Sequence, residues 1–143
     1  MKTFDFYTIG YQGKSISKFI KLLKAVKAKA VVDVRYSPVS HNIFFSKEVL
    51  EKALKANGIK YIHIKKLGVP KRIRDKLDKT KDYSWFFRWY DENVIAKNSD
   101  VLNSLMNIER PFALMCYESR DNECHRSRIA LWLKCNGLKG CNL

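Results

Sequence analysis

Between Phe112 and Arg128 the chain reads FALMCYESRDNECHRSR, a short stretch crowded with groups that do chemistry. An apolar run ends at Cys116. Glu118, Arg120, Asp121, Glu123, Cys124, His125 and Arg126 follow, and the apolar spacing of a helix begins directly after them. A thiol at a helix start beside His125 and Arg126 has its thiolate stabilised, below the free pKa of about 8.5. The set suits covalent nucleophilic catalysis, with Cys124 attacking, His125 moving the proton and Arg126 holding an oxyanion. Glu118 serves as general acid or base where burial raises its pKa toward neutrality. The plain alternative is packing, because cysteine is among the most buried residue types.

A metal centre fits this pattern less well. Cys116, Cys124, His125, Cys135 and Cys141 are the available ligands, but none form a Cys-x-x-Cys pair. Cys135 falls deep in the last predicted helix, and adjacent residues such as Cys124 and His125 leave a helix in different directions. The expectation is no metal and no other cofactor.

The elements that must position these groups alternate between strand and helix. Phe4 to Ile9 is β-rich and leads into a turn at Gly10 and Gly13. Ser15 caps a helix carrying Ile16, Phe19, Ile20, Leu23 and Val26 on one face. Ala30 to Val34 is apolar except for Asp33, as in a strand covered on both faces. Ser46 opens a second helix, KEVLEKALKA, which stops at Gly58. Ile59 to Ile64 makes a third strand, Ser99 caps a further helix, and Pro111 precedes the fourth strand. The last helix runs from about His125 to Asn136. This order predicts a single-domain α/β protein over residues 1–143, with a mostly parallel sheet of four to five strands flanked by helices.

Parallel strands linked by right-handed crossovers put all their carboxyl ends on one rim, where open α/β sheets bind ligands. That rim gathers Tyr11, Asp33, Arg35, His63, Lys66, Cys116 and Glu118 from four strand ends. Asp33 lies within an apolar run, where an unpaired charge is costly, so it needs a partner.

The segment from residue 65 to 82 holds Lys65, Lys66, Lys71, Arg72, Arg74, Lys76, Lys79 and Lys81 against three aspartates. It reads as a basic, loop-rich, lid-like insertion near the strand ends, with Lys66 and Arg72 as substrate-binding residues. Tyr83, Trp85, Phe86, Phe87, Trp89 and Tyr90 follow at spacing that makes most of them core. Basic side chains interleaved with aromatic rings also suit single-stranded or flipped nucleotides.

The motif order resembles the domain-of-unknown-function family 488. The matching pieces are TIGY at Thr8 to Tyr11, DVRYSPVS at Asp33 to Ser40, GIKYIHIKKLG at Gly58 to Gly68, and MCYESRDNECHR at Met115 to Arg126. The resemblance implies an α/β domain with polar residues clustered at one end of its sheet. By position it brings Asp33, Arg35, His63, Glu118, Cys124, His125 and Arg126 into that cluster; it implies no reaction. Tyr11 departs from the pattern, standing where the family often has histidine, and the C-terminus departs in leaving a short or missing fifth strand.

A strand, a cysteine, a loop and an arginine opening a helix are also similar to rhodanese-type sulfurtransferases and cysteine phosphatases, with Cys116 as nucleophile. Those loops carry the arginine five or six residues after the cysteine and form an anion nest. Here Arg126 is ten residues after Cys116, with no glycine between.

Composition bounds the function. The 143 residues carry 28 Lys and Arg against 14 Asp and Glu, a net +14 that draws polyanions, nucleic acid first. No apolar run is long enough for a membrane span, no signal peptide is evident, and four cysteines confined to the last third read as reduced thiols of a cytoplasmic protein. The expected function is an enzyme acting on a phosphate-bearing substrate, nucleic acid or nucleotide. Its catalytic residues are Glu118, Cys124, His125 and Arg126, and its substrate-binding residues Tyr11, Asp33, Arg35, His63, Lys66 and Arg72. A non-enzymatic nucleic-acid-binding module is the competing class.

Overall fold

Strands covered on both faces lose the alternation of polar and apolar residues, and this chain has two of them. Every residue of β2 (Ala30–Asp33) and β4 (Phe112–Cys116) is buried. They are joined in one sheet by β1 (Phe6–Gly10), β3 (Lys60–His63) and β5 (Gly140–Asn142). The computed structural model describes residues 3–143. Among them the five strands run in the order β3-β2-β4-β1-β5, with every neighbouring pair parallel.

Helices cover both faces. On one side α1 (Ile16–Ala25) and α2 (Lys47–Ala56) pack Phe19, Leu23, Leu50 and Leu54 against Ile9, Val31, Ala113 and Met115. On the other, α3 (Lys71–Thr80), α4 (Tyr83–Tyr90), α5 (Ser99–Leu105) and α6 (Arg126–Cys135) meet Phe6, Val32, Leu114 and Cys116. Local signals behave as their chemistry requires. The Ser15 side chain accepts the Lys18 backbone N–H at the start of α1, and Gly58, with φ +72°, takes the left-handed turn after α2.

Several elements differ from expectation. The first strand is displaced toward its carboxyl end and includes Gly10 rather than Phe4. The fifth strand is short, as expected, its three residues paired with β1 from Phe6↔Gly140 to Thr8↔Asn142. Residues 65–82 are not loop-rich: a 3-10 turn at Lys65–Leu67 and all of α3 occupy most of the segment. Ile73 and Leu77, four apart, bury one stripe of α3 in the core, and the charges take the other face. The aromatic burst also divides, with Phe86 and Tyr90 buried and Trp85 and Trp89 half-buried. Among the described residues no helix is long and apolar enough to cross a membrane.

The strand order creates one switch point. After β2 the chain leaves toward β3, and after β4 it leaves the opposite way toward β5. Between these adjacent strands the two exit loops part, which is the crevice position of open α/β sheets. The loop beyond Asp33 forms one wall and the loop from Tyr117 to His125 the other.

Candidate functional site

Asp33 ends β2 fully buried and needs compensation, which Arg35 supplies two residues on. The guanidinium grips the carboxylate with both prongs, Nε to Oδ1 at 2.9 Å and Nη2 to Oδ2 at 2.7 Å, and the Arg35 backbone N–H adds a third bond at 3.1 Å. Tyr61 donates its hydroxyl to Oδ2 at 2.5 Å. Burial opposes the Arg35 charge, but the Asp33 carboxylate outweighs it and holds the guanidinium firmly protonated. Burial and the same carboxylate push the Tyr61 phenol well up. Arg35 Nη1 also reaches the Tyr11 hydroxyl at 3.3 Å, and the Tyr11 ring stacks on Phe45 at 4.5 Å.

The backbone beyond Asp33 is held by two histidines. His125 Nε2 lies 2.8 Å from the Val34 carbonyl, and His63 Nε2 lies 2.8 Å from the Arg35 carbonyl. A carbonyl only accepts, so each Nε2 carries a proton and Nδ1 of a neutral ring is left with its lone pair.

In His125 that lone pair faces sulfur. Cys116 Sγ and Cys124 Sγ each lie 3.8 Å from Nδ1. The three ligand atoms all fall within 4.8 Å of one another, and all three residues are buried. The expectation that Cys124 and His125 diverge is therefore corrected. Cys124 stands outside α6 in extended backbone (φ −135°, ψ 143°), and this rotates its side chain back toward the imidazole.

The electrostatics separate the two thiols. Burial works against a Cys124 thiolate, but the Cys116 S–H, His125 and Arg126 outweigh it and lower Cys124 well below the usual thiol range. Hydrogen bonding to Cys124, with burial, pushes Cys116 well up, so of the two sulfurs Cys124 gives up its proton more readily. This arrangement gives no support to Cys116 as a rhodanese-like nucleophile. His125 is raised: burial opposes its charge, and the Cys124 thiolate more than restores it. Glu118, with Oε2 3.6 Å from Cys116 Sγ, is pushed up to about 7 by burial and then by the Cys124 charge.

Arg126 is fully buried and largely committed. Nη1 donates to the Glu118 carbonyl, and Nη2 donates to the Ser119 carbonyl at 3.2 Å and Asn142 Oδ1 at 3.4 Å. Its fork thus ties the loop after β4 to β5 rather than opening into the crevice. Among the described residues Nε is a buried nitrogen with no hydrogen-bond partner. Gly10 completes the packing: a Cβ there would stand 1.7 Å from the Glu118 carbonyl oxygen, so only glycine lets β1 and this loop meet.

Lys66 and Arg72 are placed elsewhere. They line a groove of about 610 Å³ with Tyr36, Lys65, Trp89 and Asn93, where the Lys65 ammonium sits 4.7 Å from the Tyr36 ring. Of the residues foreseen, Glu118, Cys124, His125 and Arg126 converge. Asp33, Arg35, Tyr11 and His63 form the adjoining network, joined to them through consecutive carbonyls. Tyr61 and Tyr90 were missed. Tyr61 had a signal, since it is two residues before His63 and so shares its side of β3. Tyr90, whose ring lies 5.3 Å from that of His125, looked like any core aromatic.

The chain matches the family described as Domain of unknown function DUF488 over residues 15–133. The matched span includes Asp33, Arg35, His63 and the whole Cys116–Arg126 loop, and leaves out Tyr11. No curated protein and no solved structure matches the chain.

Proposed function

From a chain that belongs to the DUF488 family, and from the geometry of its own rim, we propose an enzyme that attacks a phosphate-bearing substrate, nucleic acid ahead of free nucleotide, through Cys124. One observation carries the reading. A sulfur and a lone-pair imidazole nitrogen face each other, and the imidazole is oriented by a third group, the Val34 carbonyl. Nucleophile, base and orienting group in that order are the logic of an activated nucleophile.

The roles follow from position. His125 takes the Cys124 proton, and the sulfur attacks phosphorus as the bond to the leaving oxygen breaks. Glu118, with a pKa near 7, donates the proton that the leaving oxygen requires. Water then cleaves the sulfur–phosphorus bond, returning the thiolate and the phosphate product, and Glu118 is reprotonated from solvent. Arg126 acts as a positioning residue by fixing the Glu118 and Ser119 carbonyls. Asp33 and Arg35 stiffen the opposite wall. Phosphate attraction falls to the groove cations Lys65, Lys66 and Arg72 and to a net charge of +14.

The test is a screen of single-stranded oligonucleotides and nucleotides for turnover and for a covalent adduct on Cys124, detected by mass spectrometry. The expected result is an adduct lost in C124S, and turnover lost in E118Q with binding retained. Substrate binding without turnover or adduct, together with an unreactive thiol, supports the non-enzymatic binding module instead.

A further inference from the structure

We infer that Cys116, Cys124 and His125 together bind one thiophilic divalent cation of the zinc class, and that the bound metal masks the Cys124 sulfur. Binding rests on geometry alone; only the masking half rests on the nucleophile reading above.

Distance is the first argument. Tetrahedral zinc with bonds of about 2.3 Å to sulfur and about 2.0 Å to nitrogen separates sulfur from nitrogen by about 3.5 Å, and sulfur from sulfur by about 3.8 Å. Both sulfur–nitrogen separations here are 3.8 Å, and no pair of the three ligand atoms exceeds 4.8 Å. A metal enters by small side-chain adjustments with the backbone in place.

Orientation is the second. A ligating histidine ordinarily donates its other ring N–H to a carbonyl or carboxylate, which fixes the ring and its tautomer. His125 makes that bond to Val34, so the Nδ1 lone pair is aimed between the sulfurs before any ion arrives. The bond ties the ligand to the residue that follows β2, a strand buried along its whole length.

Donor chemistry is the third. Two sulfurs and an imidazole suit zinc-like ions and discriminate against magnesium and calcium, which require oxygen. The fourth position falls to the Glu118 carboxylate, 3.6 Å from Cys116 Sγ, or to water. Loading releases the thiol protons to solvent and engages both sulfurs, so Cys124 can no longer attack.

Cobalt is the probe. The protein is prepared with C135S and C141S, which removes the two exposed thiols, and is stripped with a chelator. Cobalt(II) should saturate at about one equivalent, giving a sulfur-to-cobalt charge-transfer band and tetrahedral ligand-field bands that zinc bleaches. Zinc should slow iodoacetamide alkylation of Cys124 by at least about tenfold, reversed by chelator. C124S and C116S should each abolish the charge-transfer signal, with circular dichroism confirming that at least one variant is folded. A chain with a fast-reacting Cys124 and no cobalt band overturns the inference, as does a band that survives C124S. A band in a chain whose metal-free Cys124 reacts no faster than an ordinary thiol upholds the metal site and overturns the nucleophile reading.

Discussion

The Val34 carbonyl stands 2.8 Å from His125 Nε2, and this bond decides which face of the imidazole meets the sulfurs. It also couples the two walls of the crevice, since Val34 leaves β2 and His125 precedes α6. Substituting H125Q removes the Nδ1 acceptor and the imidazolium charge that favours the thiolate. The pH midpoint for Cys124 alkylation should rise toward the free value of about 8.5, with each unit of rise costing about tenfold in thiolate fraction. A midpoint that stays put assigns the activation to Cys116 and Arg126 alone.

The same bond explains what could be seen in the chain before its fold. Apolar runs and caps foretold four strands, the flanking helices and a rim that collects Asp33, Arg35, His63 and Cys116, because these signals are local. The contact of Cys124 with His125 joins sequence neighbours, yet it was hidden. It depends on Cys124 keeping extended backbone just before a helix that begins at Arg126, one residue later than its periodicity suggests. The helix at 71–80 was obscured for a related reason. Its run of lysines and arginines hid the two apolar positions, Ile73 and Leu77, that anchor it.

Glu118 gives the fold a pH dependence of predictable sign. Its carboxyl is raised from the ordinary 4.5 to about 7, so between those values the folded chain holds a proton that the unfolded chain has lost. Its contribution to stability is therefore full below about pH 4.5 and is lost as the pH rises through 7. The loss is of the order of 3 kcal/mol. In metal-free protein E118Q should gain stability relative to the parent over this window, read by urea denaturation at pH 5 and pH 8. Parallel curves at the two pH values would refute it.

The Asp33–Arg35 pair is a buried ion pair, and its worth shows only when it is broken. D33N leaves the Arg35 guanidinium buried against a neutral amide, which should cost about 3–5 kcal/mol. Y61F removes one hydrogen bond to a charged oxygen and should cost about 1.5–3 kcal/mol. Replacing both charges, as in D33N with R35M, should recover part of the first loss. If D33N denatures at the parent's urea midpoint, the network is ornamental to stability and Asp33 must be explained by substrate contact.

The groove around Tyr36 offers the sharpest test of the polyanion reading. Lys65, Lys66 and Arg72 line it beside the Trp89 ring, so phosphates have cations to neutralise and a base has a face on which to stack. Because these side chains lie apart from the thiol cluster, K66A and R72A should leave Cys124 alkylation unchanged. Binding of a single-stranded oligonucleotide should weaken with salt in the parent protein. Each substitution should flatten the log K against log salt slope by about 0.7, the loss of one phosphate contact. W89A should weaken binding by about 1–3 kcal/mol with no change in slope, because stacking carries no counterions. Fluorescence anisotropy at three salt concentrations distinguishes these outcomes. Slopes that do not move with Lys66 or Arg72 would remove this groove from the nucleic-acid surface and leave the +14 charge to act only as a diffuse field.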